Sequence, residues 1–436
     1  MKPQSCDTMV ALGNATLNGQ TIFAKNSDRP ADECQPLILR DRKTHPQNTQ
    51  TYCQFITIPE VQKTYRHIGS RPFWCWGYEH GFNEHQVVIG NEAVHSHLPV
   101  SKTPKLIGME LLRLGLERGR TASEAVAVIT DLILQFGQGK FENTSNVRTY
   151  DNSYIVADPH EAYVIETAGH DWAVKKVEST LGISNVYSIE TDWIRLSSCA
   201  QQKAIELGKT SPTGRFNFAA AFTESSRTEG SGATRRARSC AVLSHQKGQI
   251  DVHTMMALLS DHGNAQSPPQ TFQTDLKQGG ICVHCNQDGT GGNTAASLVA
   301  DLCANGSCLP VYWCGFYSPC LALFLPTFIE GQLPTILNVG DATFSSKSPW
   351  WQFHRLNQLV RSHPEDRVPQ MRTQWQTIQN QLFKTAYQIA SDGRQLINAG
   401  NEAHAQKMLT DYMAENTCTM LETIQSLIKT FECKTA

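Results

Sequence analysis

Short apolar runs of strand length open the chain. Thr8-Met9-Val10-Ala11-Leu12 and Thr21-Ile22-Phe23-Ala24 flank Asn18-Gly19, a strong short-range hairpin signal. Between Ser101 and Gly119 the apolar residues Leu106, Ile107, Met109, Leu111, Leu112, Leu114 and Leu116 recur at helical spacing, and Thr121-Ala122-Ser123-Glu124 reads as a capping box opening a second helix to about Phe136. The runs 153–157, 162–166 and 172–177, broken by the turn residues Asp158-Pro159, predict an antiparallel meander. Another helix over Val252–Leu259 and an apolar run over Thr294–Leu302 follow. Strands with interspersed helix pairs and no βαβ alternation predict an α+β fold of layered antiparallel sheets. After Ser348-Pro349 the texture changes to Gln, Leu, Ala and Lys, which suits two or three amphipathic helices. The expected organisation is therefore a main domain over 6–345 and a helical extension over 346–436 that packs on it or builds a subunit interface in a homo-oligomer.

Composition narrows the function classes. Lys and Arg total 38 against 40 Asp and Glu, a net charge of −2 without long like-charge runs, which argues against nucleic acid or an anionic membrane as partner. Pro310, Pro319 and Pro326 interrupt the apolar-looking Leu309–Ile329 stretch, so it reads as buried strand and loop rather than a membrane span. The 14 cysteines are scattered, and the start lacks a basic segment followed by an apolar one. Reduced thiols in a cytoplasm are the expectation.

The chemistry starts at Cys6. If the residues before it were removed, this residue would carry a nucleophilic thiol and, in its own α-amine, a general base of similar pKa. A two-residue turn at Asn18-Gly19 would place Asp28 and Arg29 opposite Met9 and Thr8, bringing Lys25, Asp28 and Arg29 into the neighbourhood of Cys6. Cations there favour a thiolate, and a carboxylate can hold the amine. Thr234-Arg235-Arg236-Ala237-Arg238-Ser239 is the most basic cluster, either an exposed helix start or a carboxylate clamp. Cys282-Val283-His284-Cys285, His95-Ser96-His97, Cys303 and Cys308 match no standard zinc spacing, so a buried thiol cluster without metal is expected. Gly289–Thr294 lacks the Gly-Lys-Ser/Thr of a phosphate loop and reads as a tight turn. No cofactor is expected.

Several motifs, taken in order, resemble one family. Cys6-Asp7-Thr8, Lys25-Asn26-Ser27-Asp28-Arg29, Gly77-Tyr78-Glu79-His80-Gly81-Phe82-Asn83-Glu84, Glu166-Thr167-Ala168-Gly169, Gly279–His284, Asn293–Ser297 and Trp350-Trp351 are similar to those of the secernins and their bacterial dipeptidase relatives, which are N-terminal nucleophile hydrolases. The resemblance implies a four-layer α-β-β-α sandwich, removal of 1–5 as a propeptide by autocatalysis or proteolysis, and an acyl-enzyme on Cys6. It also implies that Asp28 orients the Cys6 amine and that Lys25 stands where choloylglycine-type amidases have Arg. Asn91 would donate to the oxyanion, Asn185 would be a second active-site Asn, and Arg238 would lie near the nucleophile. The substrate implied is a short peptide, most simply a dipeptide. The alternatives are an amidase or acylase on N-acylated small molecules such as N-acyl amino acids, and a non-enzymatic secretion-related protein that keeps the fold.

Overall fold

The computed structural model describes residues 5–142, 147–211, 213–224, 230–263, 272, 274–286 and 288–433. Residues 1–4 of the expected propeptide lie outside these. The first strand, Cys6–Ala11, pairs antiparallel with Ile22–Pro30 on one side and Thr180–Ile183 on the other. This makes it an inner strand of a six-stranded sheet completed by Gly292–Asp301, Val311–Phe316 and Leu325–Thr327. The meander appears as Asp151–Ala157, Ala162–Ala168 and Asp171–Lys176 at the centre of an eight-stranded antiparallel sheet, next to Val88–Val94.

The two sheets lie face to face. A Cβ on Gly90 would sit 2.6 Å from Lys25 Cδ and 2.9 Å from Thr8 Oγ1 of the opposing sheet, so only glycine allows the approach. Helices Gly108–Arg118 and Ala122–Phe136 cover the outer face of the eight-stranded sheet, where a Cβ on Gly115 would meet Ile89 and Ile129. Ser231–His245 and Val252–Leu259 cover the outer face of the six-stranded sheet, with Ser239 against Gly182 and the Leu259 carbonyl accepting from Asn26 at 2.8 Å. The fold is the expected α+β arrangement of helix, sheet, sheet and helix layers.

Two local expectations change. The first helix begins at Gly108 rather than near Ser101, because 101–107 contains Pro104 and runs extended, with bridges from Ser101 to Phe141 and Leu106 to Gln138. The hairpin register also differs from the two-residue turn. Ala11 pairs with Ile22 and Thr8 with Lys25. Residues 12–21 form the connection because their backbone is engaged elsewhere: Leu12 N bonds Ser179 O at 2.8 Å and Leu17 N bonds Ile250 O at 2.9 Å. The slip moves Ser27 opposite Cys6 and sets Asp28 beside the thiol.

The C-terminal region forms three helices, Pro349–Ser362, Pro364–Asn398 and Glu402–Cys433. Ser348 caps the first, and Pro349 and Pro364 stand at the first helical positions, where no amide hydrogen is required. Trp350 donates to Ala295 O at 2.8 Å and Trp375 to Leu321 O at 3.1 Å, and both rings belong to the same core as Trp313 and Phe316. Among the described residues no helix is long and apolar enough to cross a membrane. Truncation before Ser346 removes Trp350, Phe353, Trp375, Leu409 and Met413 from that core. At roughly 1.5–3 kcal/mol per large buried side chain, the loss is as large as the whole stability of an ordinary domain, about 5–15 kcal/mol. The truncated chain is expected to lose its cooperative thermal transition, and an unchanged melting midpoint would show the helices to be dispensable.

Candidate active site

Alternation along the first hairpin sends Cys6, Thr8, Lys25 and Arg29 into the space between the sheets and Asp7, Asn26 and Asp28 toward the outer helices. Cys6 is held at every polar atom. Its N–H donates to Asn185 Oδ1 at 2.8 Å, and its carbonyl accepts from Ser184 Oγ at 3.2 Å and Arg235 Nη1 at 3.0 Å. Its Sγ accepts from the Asp28 N–H at 3.4 Å. Asn185 also accepts from Arg235 at 2.8 Å and donates to Ala93 O at 2.8 Å, so it ties Cys6 to the opposite sheet. A buried ion pair between Arg235 and Asp7 completes the cage.

The site concentrates charge away from water. Lys25 Nζ lies 3.5 Å from Glu92 Oε1, both side chains fully buried, and Thr8 donates to the same carboxylate. Burial pushes the Cys6 thiol up to about 12 despite the opposing pull of Lys25, so with Ser5 attached the sulfur is a neutral thiol. Burial also raises Asp28 to about 7, reinforced by the Asp7 charge, and raises Glu92 to about 7 against the pull of Lys25. Burial works against the Lys25 charge, but Cys6 in its thiolate form and the carboxylates of Glu92, Glu79 and Asp28 outweigh it, so Lys25, with Glu92 3.5 Å away, stays an ammonium. Asp28 Oδ1 accepts from Thr294 at 2.5 Å, while its Oδ2 is buried without a partner. A buried carboxylate oxygen without a partner is a ready acceptor for an amine.

Cys6, Lys25, Asp28 and Asn185, four of the residues singled out in the sequence, therefore lie together. Two other residues do not join them. Arg238 lies about one helical turn beyond Arg235 and forms a half-exposed pair with Asp261, its Nη2 at 3.0 Å from Oδ1. Arg235 is the guanidinium at Cys6, where it clamps the Asp7 carboxylate, so the basic cluster holds a carboxylate through a different Arg. Asn91 shares the face of Asn152, to which its amide donates at 3.1 Å, whereas Gly90 and Glu92 face Lys25 and Thr8. Strand alternation thus turns Asn91 toward the outer helices and presents Glu92 to the site. Glu92, Ser184, Arg235 and Thr294 were not singled out individually from sequence. For Glu92 the available signal was parity with Gly90 in a strand; for Arg235, the i, i+3 ambiguity within a run of arginines.

The expected thiol cluster divides. Cys285 Sγ accepts from Arg361 at 3.1 Å, Cys303 and Cys308 sulfurs lie 3.4 Å apart, and His97 Nε2 bonds Ala221 O at 2.7 Å. Cys282 and His284 gather instead with His262 and Cys320.

Comparison with solved structures finds similarity at low identity to a bile acid hydrolase, an acylase and an amidase. A mutant of conjugated bile acid hydrolase from Clostridium perfringens is 12% identical, with 71% of this chain and 89% of that one covered and a TM-score of 0.41. Penicillin V acylase from Agrobacterium tumefaciens is 13% identical, covering 74% and 86%, at a TM-score of 0.40. The Caenorhabditis elegans ortholog of N-acylethanolamine-hydrolyzing acid amidase is 14% identical, covering 67% and 92%, at 0.33. The match to a family model is of another order: it runs over residues 5–239, beginning one residue before Cys6 and ending four past Arg235, and so takes in every residue that bonds Cys6. The chain belongs to peptidase family C69.

Proposed function

We propose that this protein is a cysteine N-terminal nucleophile hydrolase that cleaves short peptides, most simply dipeptides. The observation that carries the reading is the grip on Cys6: N–H, carbonyl and sulfur each have a dedicated partner, with an ammonium on the sulfur side and an unpaired carboxylate oxygen at Asp28. In the first step the Cys6 sulfur adds to the Ser5 carbonyl and the peptide nitrogen of Cys6 leaves with a proton, giving a thioester. Water hydrolyses the thioester, Ser5 leaves as a carboxylate, and Cys6 now has a free amine. That amine settles between Asn185 Oδ1 and Asp28 Oδ2. In turnover it takes the thiol proton as the sulfur attacks the substrate carbonyl, then returns it to the departing amine. Water releases the acyl group. Lys25 stabilises the thiolate as a fixed positive charge held in place by Glu92.

The reading also places the protein in a reducing compartment, the cytoplasm, in line with its 14 free thiols. The test is incubation of the processed protein with a panel of dipeptides and a parallel panel of N-acyl amino acids. Release of free amino acids from the dipeptides is the expected result. Turnover confined to the N-acyl panel would replace the dipeptidase with an amidase, and no turnover of either would favour the non-enzymatic alternative.

A further inference from the structure

The side chains of His262, Cys282, His284 and Cys320 come from three separate stretches of chain. His262 follows the helix Val252–Leu259, Cys282 and His284 precede the strand Gly292–Asp301, and Cys320 lies in the short helical turn Pro319–Leu321. One donor atom from each lies within 4.8 Å of all the others. His284 Nε2 is 3.0 Å from His262 Nε2, 3.4 Å from Cys282 Sγ and 3.4 Å from Cys320 Sγ.

Hydrogen bonds to a single ring nitrogen satisfy that arrangement only in part. An imidazole nitrogen has either one N–H or one lone pair, hence one bond to give, yet three groups converge on this one. A cation at the centre gives every donor its own bond. Tetrahedral zinc, with Zn–S of about 2.3 Å and Zn–N of about 2.0–2.1 Å, separates its ligand atoms by about 3.3–3.8 Å, close to the spacing found. The charge also balances, since two thiolates and two neutral imidazoles neutralise a divalent ion in a partly buried place. Around the donors, His284 Nδ1 lies 3.5 Å from Ser318 Oγ, itself held by Asn293 at 3.0 Å, and Arg372 donates to the Cys320 carbonyl at 3.3 Å. Such contacts fix ring orientation around metal ligands.

We propose that His262, Cys282, His284 and Cys320 form a closed tetrahedral site for a structural zinc ion. Thiolate with imidazole in four-coordinate geometry selects zinc over the harder magnesium and calcium, and four protein ligands leave no position for a substrate. The spacing escapes sequence patterns because His262 and Cys320 stand 22 and 36 residues from His284. The site also adjoins the nucleophile. Val283 exchanges hydrogen bonds with Thr294 at 2.9 and 3.1 Å, and Thr294 holds Asp28, so the ion pins the segment that orients this carboxylate.

The test is elemental analysis of the full chain, produced with zinc present and purified under reducing conditions without chelator. About one zinc per chain is expected, with Cys282→Ser and His262→Ala losing most of it and Cys285→Ser and Cys303→Ser retaining it. Should the ligand variants fail to fold, cobalt exchanged into the unaltered protein decides. It should give the intense visible bands of a tetrahedral centre together with thiolate-to-cobalt charge transfer in the near ultraviolet. Protein free of zinc under these conditions, a Cys282–Cys320 disulfide by mass, or cobalt spectra lacking both features would overturn the site. So would zinc that follows Cys285 rather than Cys282. None of these readouts depends on hydrolytic activity.

Discussion

Cys6→Ala is expected to keep residues 1–5 attached apart from ordinary trimming of Met1, to fold normally and to hydrolyse nothing. The same sulfur is required twice in the proposed sequence, first on the Ser5 carbonyl and then on the substrate. No other group in the cage can replace it: Lys25, paired with Glu92, is an ammonium without a free lone pair, and the Asp28 carboxylate is a far weaker nucleophile than sulfur. Removing one small thiol from a site that is closed on all sides leaves the hydrogen bonds of the Cys6 backbone untouched, so stability should change by only about 1 kcal/mol. Cys6→Ser retains a weaker nucleophile and should process slowly and turn over poorly. Intact-mass measurement reads the first half and the dipeptide assay the second. Complete loss of residues 1–5 from the Ala variant would assign the cut to an outside peptidase. Retained hydrolysis would place the nucleophile elsewhere.

Arg235→Met should be far more damaging than Arg238→Met. Arg235 is fully buried, pairs with Asp7 and bonds both the Cys6 carbonyl and Asn185, so its loss leaves the Asp7 carboxylate buried without its counter-charge. Breaking one partner of a buried pair costs about 3–5 kcal/mol. Arg238 pairs with Asp261 at the edge of solvent, where such a bridge contributes about 1 kcal/mol or less. Urea unfolding of the two variants measures the difference. Combining Arg235→Met with Asp7→Leu removes both charges and should restore much of the stability while leaving Cys6 without its carbonyl donor, hence little activity. If Arg238→Met were instead the inactive and unstable variant, the assignment of Arg235 to the nucleophile would fail.

Much of this molecule is determined locally and was legible in the chain. The strand runs, the Thr121 cap whose side chain accepts from Glu124 N, the meander and the C-terminal helices opened by Ser348-Pro349 and Pro364 all follow from period, capping and proline chemistry within a few residues. So does the placing of a thiol, a lysine and a carboxylate on one hairpin. The tertiary structure decided what depends on distant chain. Pairing of residues 12–17 with 179 and 250 set the hairpin register, and a sheet packed against Gly90 turned Glu92 inward and Asn91 outward. Which arginine of a basic run reaches Cys6, 229 residues away, was decided by where the helix Ser231–His245 docks across the strand Thr180–Ile183. The four-ligand cluster arose in the same way, from segments that are neighbours only once the six-stranded sheet has formed. Hydrophobic period records which face of an element is buried, but the partner that face meets depends on contacts between remote segments, and no local pattern encodes them.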